Sequence, residues 1–213
     1  MTTRTILDTL ARHADPTGRL AAYLAAGSFY DDPASLARHR SYPSGLADHT
    51  LGVYLELRSL SHDDGPAPML VALAHDLCKV GTYQQVMKSV KMKDSSGRFL
   101  TDYRGKPRWD DVPGYEFIES DMPVGHGDSS VVRLMEVFGN DAVPADWHAI
   151  LLAIRWHMGA FSAPPGEEQN RMAAAMARTK LVIWTQAADL LDTHHGAETS
   201  ALIARAMQEI PLL

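Results

Sequence analysis

The run Met69-Leu70-Val71-Ala72-Leu73-Ala74, closed by His75-Asp76-Leu77, constrains the fold more than any other stretch of the chain. A helix that is apolar nearly all round must lie at the centre of a core, with partners on every side. The run is too short to cross a bilayer, which needs about 18 uninterrupted apolar residues. Its polar end poses a problem, because a buried imidazole and carboxylate without partners cost on the order of several kcal/mol. A metal ion is one solution; a capping Asp beside a satisfied core His is the other.

The rest of the chain supplies the surrounding helices. Apolar residues at helical spacing from Leu7 to Ala26, broken by Asp15-Pro16-Thr17-Gly18, predict two short helices around a turn, with Gly27 ending the second. Pro43-Ser44-Gly45 punctuates the next loop, and a helix starting near Leu46 carries His49 in its first turn and Leu51, Val53, Tyr54, Leu55 and Leu57 beyond it. Pro68 opens the central helix at an early position. Between Lys88 and Met122, Gly, Pro and charge rise, and Ser89 to Lys93 is expected to face Tyr115 to Ile118 in a hairpin. Three helical stretches follow, at Ser129 to Phe138, Asp146 to Met158 and Met172 to Leu191, with Met69, Trp147 and Trp184 counted as core. No internal repeat or low-complexity tract is visible.

Composition limits the chemistry. At 213 residues, 46% hydrophobic and 22% charged, the chain is long enough for one continuous core. The net charge of -6 argues against a surface built mainly to neutralise a nucleic-acid backbone or an anionic membrane, although a local basic patch remains compatible with it. Cys78 is the single cysteine, so no internal disulfide or thiolate cluster can form, and any metal must be held by His and carboxylate. Asp8 and Arg12 interrupt the N-terminus before it resembles a signal peptide, and a cytoplasmic protein is expected.

Two further residues turn the doublet into a constellation: His49 on the helix upstream, and Asp189 within Trp184-Thr185-Gln186-Ala187-Ala188-Asp189-Leu190-Leu191, a carboxylate in a late apolar helix. An unpaired anion there would be costly to bury. In order and context these residues resemble the HD-domain superfamily, whose pattern runs His, then His-Asp on a second helix, then a distant Asp. Leu73-Ala74-His75-Asp76-Leu77-Cys78-Lys79-Val80-Gly81 looks like that family's His-Asp-x-x-Lys-x-Gly stretch, and the similarity spans roughly Gly45 to His195. It implies an all-α HD-type helical bundle as a single domain over 1–213, with an N-terminal helical extension over 1–44 and an inserted hairpin over 86–122.

The resemblance also implies a metal site. Gly125-His126-Gly127-Asp128 and Arg155-Trp156-His157-Met158-Gly159 are similar to the positions that give some HD proteins a second ion. In that arrangement Asp76 bridges, His49, His75 and Asp189 hold one ion, and His126 and His157 hold the other. Mixed imidazole and carboxylate ligation suits one or two Mn, Fe, Co, Ni or Zn ions better than Ca. Lys79, three residues past Asp76, could reach a transferring phosphate, or it could be a solvated lysine at a helix end. Arg155 is a phosphate-clamp candidate beside His157, against the ordinary reading of a solvated arginine. His194 and His195 read as a helix terminus, and His13, His39, His62 and His148 receive no role.

The function implied is a phosphomonoesterase or phosphodiesterase acting on a nucleotide, a related phosphorylated metabolite or a nucleic-acid end through metal-activated water. Two rivals share these ligands: a di-iron oxygenase of the HD type, and a non-catalytic module stabilised by its metal. The insertion carries Lys88, Lys91, Lys93, Arg98, Arg104, Lys106 and Arg108 among Phe99, Tyr103, Trp109 and Tyr115, a mixture suited to gripping a nucleotide or a single strand. Asp94, Asp102, Asp110 and Asp111 dilute it, so composition alone reads as a solvated hairpin.

Overall fold

The computed structural model describes residues 2–118, 122, 124–139 and 143–209. The described chain is mainly helical with one small antiparallel sheet. Helices α1 (Thr3–Ala14) and α2 (Arg19–Ala26) meet at Asp15, whose carboxylate accepts from Thr17 N and, at 2.8 Å, from Leu20 N, so one side chain closes the turn and opens α2. Then come α3 (Gly45–Ser61), α4 (Pro66–Ala74), a single 3₁₀ turn at Leu77–Lys79, and strands β1 (Tyr83–Lys91) and β2 (Trp109–Phe117). The chain continues through α5 (His126–Phe138), α6 (Trp147–Trp156), a 3₁₀ turn at Gly159–Phe161, α7 (Glu167–Arg178) and α8 (Lys180–Glu209).

The apolar run behaves as its composition demands. Pro68 to Ala74 are all buried, and α4 packs against α1, α3, α5, α6 and α8. One cluster contains Leu7 and Leu10 of α1, Leu20 and Leu24 of α2, Leu51 and Leu57 of α3, Leu70 and Leu73 of α4, Ile150 and Ile154 of α6 and Val182 of α8. Helices α1 and α2 line this common core, α1 packing against both α3 and α4.

Several boundaries differ from expectation. The ladder begins at Tyr83, and Ser89 pairs with Asp111 while Tyr115 pairs with Gln85, so the expected pairing of 89–93 with 115–118 is displaced by several residues. The expected insertion runs on to 122, of which 119–121 lie outside the described residues. The single helix expected over Met172 to Leu191 is two, because Thr179 is extended (φ -148, ψ 132) and separates α7 from α8. His194 and His195 do not end α8; His195 (φ -119, ψ 28) marks a kink, after which the helix resumes.

The hairpin also holds a repeat that the sequence reading missed. Beyond the ladder, Met92, Leu100 and Arg108 bond in a ring, Leu100 N donating to Met92 O, Arg108 N to Leu100 O and Met92 N to Arg108 O, each at 2.9 Å. Two small loops spring from it, 94–98 and 102–106, each of the form Asp-x-x-Gly-basic. Asp94 Oδ1 accepts from the backbone of Ser96 and Arg98, and Asp102 Oδ1 accepts from that of Arg104 and Lys106. Gly97 (φ 83) and Gly105 (φ 75) occupy the left-handed position that each turn requires.

Candidate metal centre

Five helices and one 3₁₀ turn deliver polar side chains to one buried place. His49 comes from α3, His75 and Asp76 from the end of α4, Lys79 from the following turn, His126 from the first residue of α5, His157 from the end of α6 and Asp189 from α8. Gly127 lets α5 approach: a Cβ there would strike the backbone of Arg155 on α6. That close crossing brings His126 beside His157, with ring centroids 5.2 Å apart.

All four histidines turn Nε2 inward. His75 Nδ1 donates to Ala72 O at 2.8 Å and His157 Nδ1 to Ile154 O at 2.7 Å; a carbonyl only accepts, so in the neutral rings Nε2 keeps its lone pair. His49 Nδ1 lies 2.7 Å from Asp192 Oδ2, and His126 Nδ1 lies 3.2 Å from Cys78 Sγ. Orientation of a ring through its outer nitrogen is what a metal-binding imidazole needs.

The inner atoms form two groups that share one carboxylate. His49, His75 and Asp76 lie together, as do Asp76, His126 and His157, and each set can hold a metal ion. His49 Nε2 is 3.2 Å from His75 Nε2, and each is 3.4 Å from Asp76 Oδ2. The other oxygen, Oδ1, is 2.7 Å from His126 Nε2 and 3.7 Å from His157 Nε2. Ligands about 2.1 Å from one cation stand roughly 3.0–3.4 Å apart, so the separations in the first group fit coordination, while those in the second, 2.7 and 3.7 Å, lie on either side of that range. Asp189 Oδ1 joins the first group through His49 Nε2, at 3.2 Å. Asp76 Oδ2 is buried without an aligned hydrogen bond although Lys79 Nζ lies 2.6 Å away, and this is the atom a cation would satisfy.

The electrostatics match. Burial disfavours the Asp76 carboxylate, yet Lys79 and the histidines outweigh it and hold its pKa well below the usual range. Asp189 is likewise depressed against its burial, chiefly by His49. Burial would lower His49, but Asp189, Asp192 and Asp76 raise it to about 10; burial would lower His126, but Asp76 and Cys78 raise it to about 10 as well. His157, buried among other histidines, falls to about 4. Burial opposes the Lys79 ammonium, and Asp76 prevails and raises its pKa. These carboxylates draw positive charge, whether as protons or as a metal.

Three participants were missed in the sequence. Asp192 is fully buried and receives both His49 Nδ1 and Arg40, whose Nη2 is 2.6 Å away. Its spacing of three from Asp189 put both carboxylates on one helical face, a legible signal. Gly52 makes room for it, since a Cβ there would overlap Asp192 Oδ1. Arg40 and His39 carried no signal. The His39 ring stands 5.0 Å from that of His49 and both its nitrogens are buried without partners, so this residue, given no role, borders the site.

Arg155 is engaged elsewhere. It pairs with Asp128, reaches Glu168 at 3.2 Å and lies over the Trp156 ring at 4.1 Å. No family model, no curated protein and no solved structure matches the chain.

Proposed function

We propose that the chain is a metal-dependent phosphohydrolase of the HD kind, acting on a nucleotide or a related phosphorylated metabolite. The observation that carries this reading is the division of Asp76: Oδ2 faces His49 and His75, Oδ1 faces His126 and His157. A carboxylate with one oxygen in each of two histidine groups is the arrangement of a bridging ligand. One ion would be held by His49, His75, Asp76 and Asp189, and the other by Asp76, His126 and His157. When bound, such ions supply an activated water and neutralise charge on phosphoryl oxygens.

The chain's own residues divide the remaining work. Asp192 and Arg40 fix the His49 ring, and the carbonyls of Ala72 and Ile154 fix those of His75 and His157. Lys79 keeps a protonated amine against Asp76 and brings positive charge to where an incoming phosphate develops negative charge. Arg155, held by two carboxylates, braces α6 against the start of α5 and α7, and reaches a substrate only by exchanging those partners.

The test is phosphate release from a panel of nucleotides by protein supplied with Mn, Co, Fe, Ni or Zn, alongside His75→Ala and Asp76→Ala. The expected result is hydrolysis by the native chain and its loss in both variants. Unchanged rates in both would sink the catalytic reading. Oxygen consumption by anaerobically prepared iron protein, with no hydrolysis, would replace it with the oxygenase.

A further inference from the structure

The tip of the hairpin carries charge and aromatic surface that the metal centre does not use. Residues 91–108 hold six cations, Lys91, Lys93, Arg98, Arg104, Lys106 and Arg108, against Asp94 and Asp102, a net +4. The chain as a whole carries -6, so everything outside the tip carries -10. The two tip carboxylates fold back onto their own loops, each accepting from two backbone N–H groups. Asp94 also touches Arg98, whose side chain nevertheless remains 82% exposed. Three aromatic residues stand among the cations, with Tyr103 87%, Phe99 59% and Trp109 56% exposed. Each has a cation within about 6 Å of its ring: Arg104 on Tyr103, Lys91 and Lys93 on Phe99, and Lys91 on Trp109.

We propose that this tip binds single-stranded nucleic acid, its cations tracking phosphates and its three rings stacking on unpaired bases. Charge complementarity selects a polyanion. The rings select among polyanions: a single strand offers base faces to stack on, a duplex hides them and an acidic peptide has none. The doubled Asp-x-x-Gly-basic loop sets two turns side by side, with a basic residue at the same place in each, Arg98 and Lys106, as a strand with repeating phosphates would use. About nine residues of ladder at roughly 3.3 Å each place the tip some 30 Å along the arm from Tyr83, which follows the turn that bears Lys79. The tip is thus a contact remote from the metal centre, and the proposal does not depend on what reaction that centre performs.

The test is fluorescence anisotropy of labelled oligothymidylate titrated with the full chain, a readout that needs no turnover. Binding is expected to weaken with salt, with a log–log slope of about -0.7 for each phosphate contacted. Tyr103→Ala and Trp109→Ala are each expected to weaken it roughly five- to a hundredfold. Joint replacement of Lys93, Arg98, Arg104 and Lys106 by Glu should abolish it while leaving circular dichroism and metal uptake unchanged. The proposal is overturned by any of three results: no binding by the native chain; equal binding of duplex or polyglutamate without any effect of the ring variants; or a native dimer, seen by light scattering, that the charge-reversed arm converts to monomer.

Discussion

Two ion pairs of the same local kind, Lys79 with Asp76 and Arg98 with Asp94, show how differently the two ends of this molecule use charge. In the first the side chains are 13% and 3% exposed and stand among four histidines; in the second they are 82% and 30% exposed at the tip of an arm. Buried charge must be answered by other protein groups or by an ion, so the rings around Asp76 are held from outside, His49 by Asp192 and His75 and His157 by the carbonyls of Ala72 and Ile154. Exposed charge is answered by water, and Arg98 is left available to an outside ligand. The chain therefore keeps a preorganised centre in its core and an adaptable surface at the tip, and that contrast can be broken or sharpened experimentally.

The largest effect is expected from Asp76→Ala. Both histidine groups lose the carboxylate they share, so metal content by elemental analysis should fall at both and any hydrolytic rate should drop by about 10³ or more, equivalent to about 4 kcal/mol of barrier. Full retention of two ions would dismantle the bridging arrangement.

Next in size is packing. Leu70→Ala removes a fully buried side chain from the helix that touches five others, and about 2–5 kcal/mol of stability should go with it in urea denaturation. Met87→Ser, on the exposed arm, should change stability by less than about 0.5 kcal/mol. Equal effects would mean that the arm is part of the core.

Asp192→Asn probes a smaller quantity. The amide keeps the shape but loses the charge that orients His49 and answers Arg40, and metal affinity should weaken about 10–100-fold by competition with a chelating dye. An unchanged affinity would reduce Asp192 to a structural partner of Arg40.

These contrasts also mark what could be read from residues alone. The central helix was legible because nothing except burial accommodates Met69 to Ala74, and so was the His75-Asp76 doublet that closes it, because charge beside such a run demands a partner; His126 and His157 were singled out only through the resemblance to the HD-domain pattern. The hairpin register was not, since Val, Met and Lys alternate too loosely on an arm exposed on both faces for one pairing to be favoured over another. The break at Thr179 escaped because α7 and α8 share one uninterrupted helical composition, and a single extended residue between them leaves no Gly or Pro to announce it. His39 and Arg40 lay in a loop whose path depends on distant contacts, such as Arg40 donating to Asp192 and Gly81 N to Asp32, and no local pattern reports those.

The mildest expectation concerns protons. With protein groups alone, His49 and His126 have pKa values raised to about 10, so near neutrality both rings carry a proton that an arriving ion must displace. Affinity should accordingly rise about tenfold per pH unit for each proton released and level off above about pH 10. Stability of the metal-free chain runs the other way: a raised pKa contributes stability that is complete below the unfolded value near 6.5 and is lost as pH climbs through about 10. His157, lowered to about 4, releases no proton on binding; it costs stability only as pH falls from about 6.5 toward 4. The gain in melting temperature on adding metal should thus widen with pH. Titration calorimetry in two buffers of different ionisation enthalpy counts the protons directly: about one per ion supports the account, and zero per ion means that these rings are already neutral, so the carboxylates do not hold them charged.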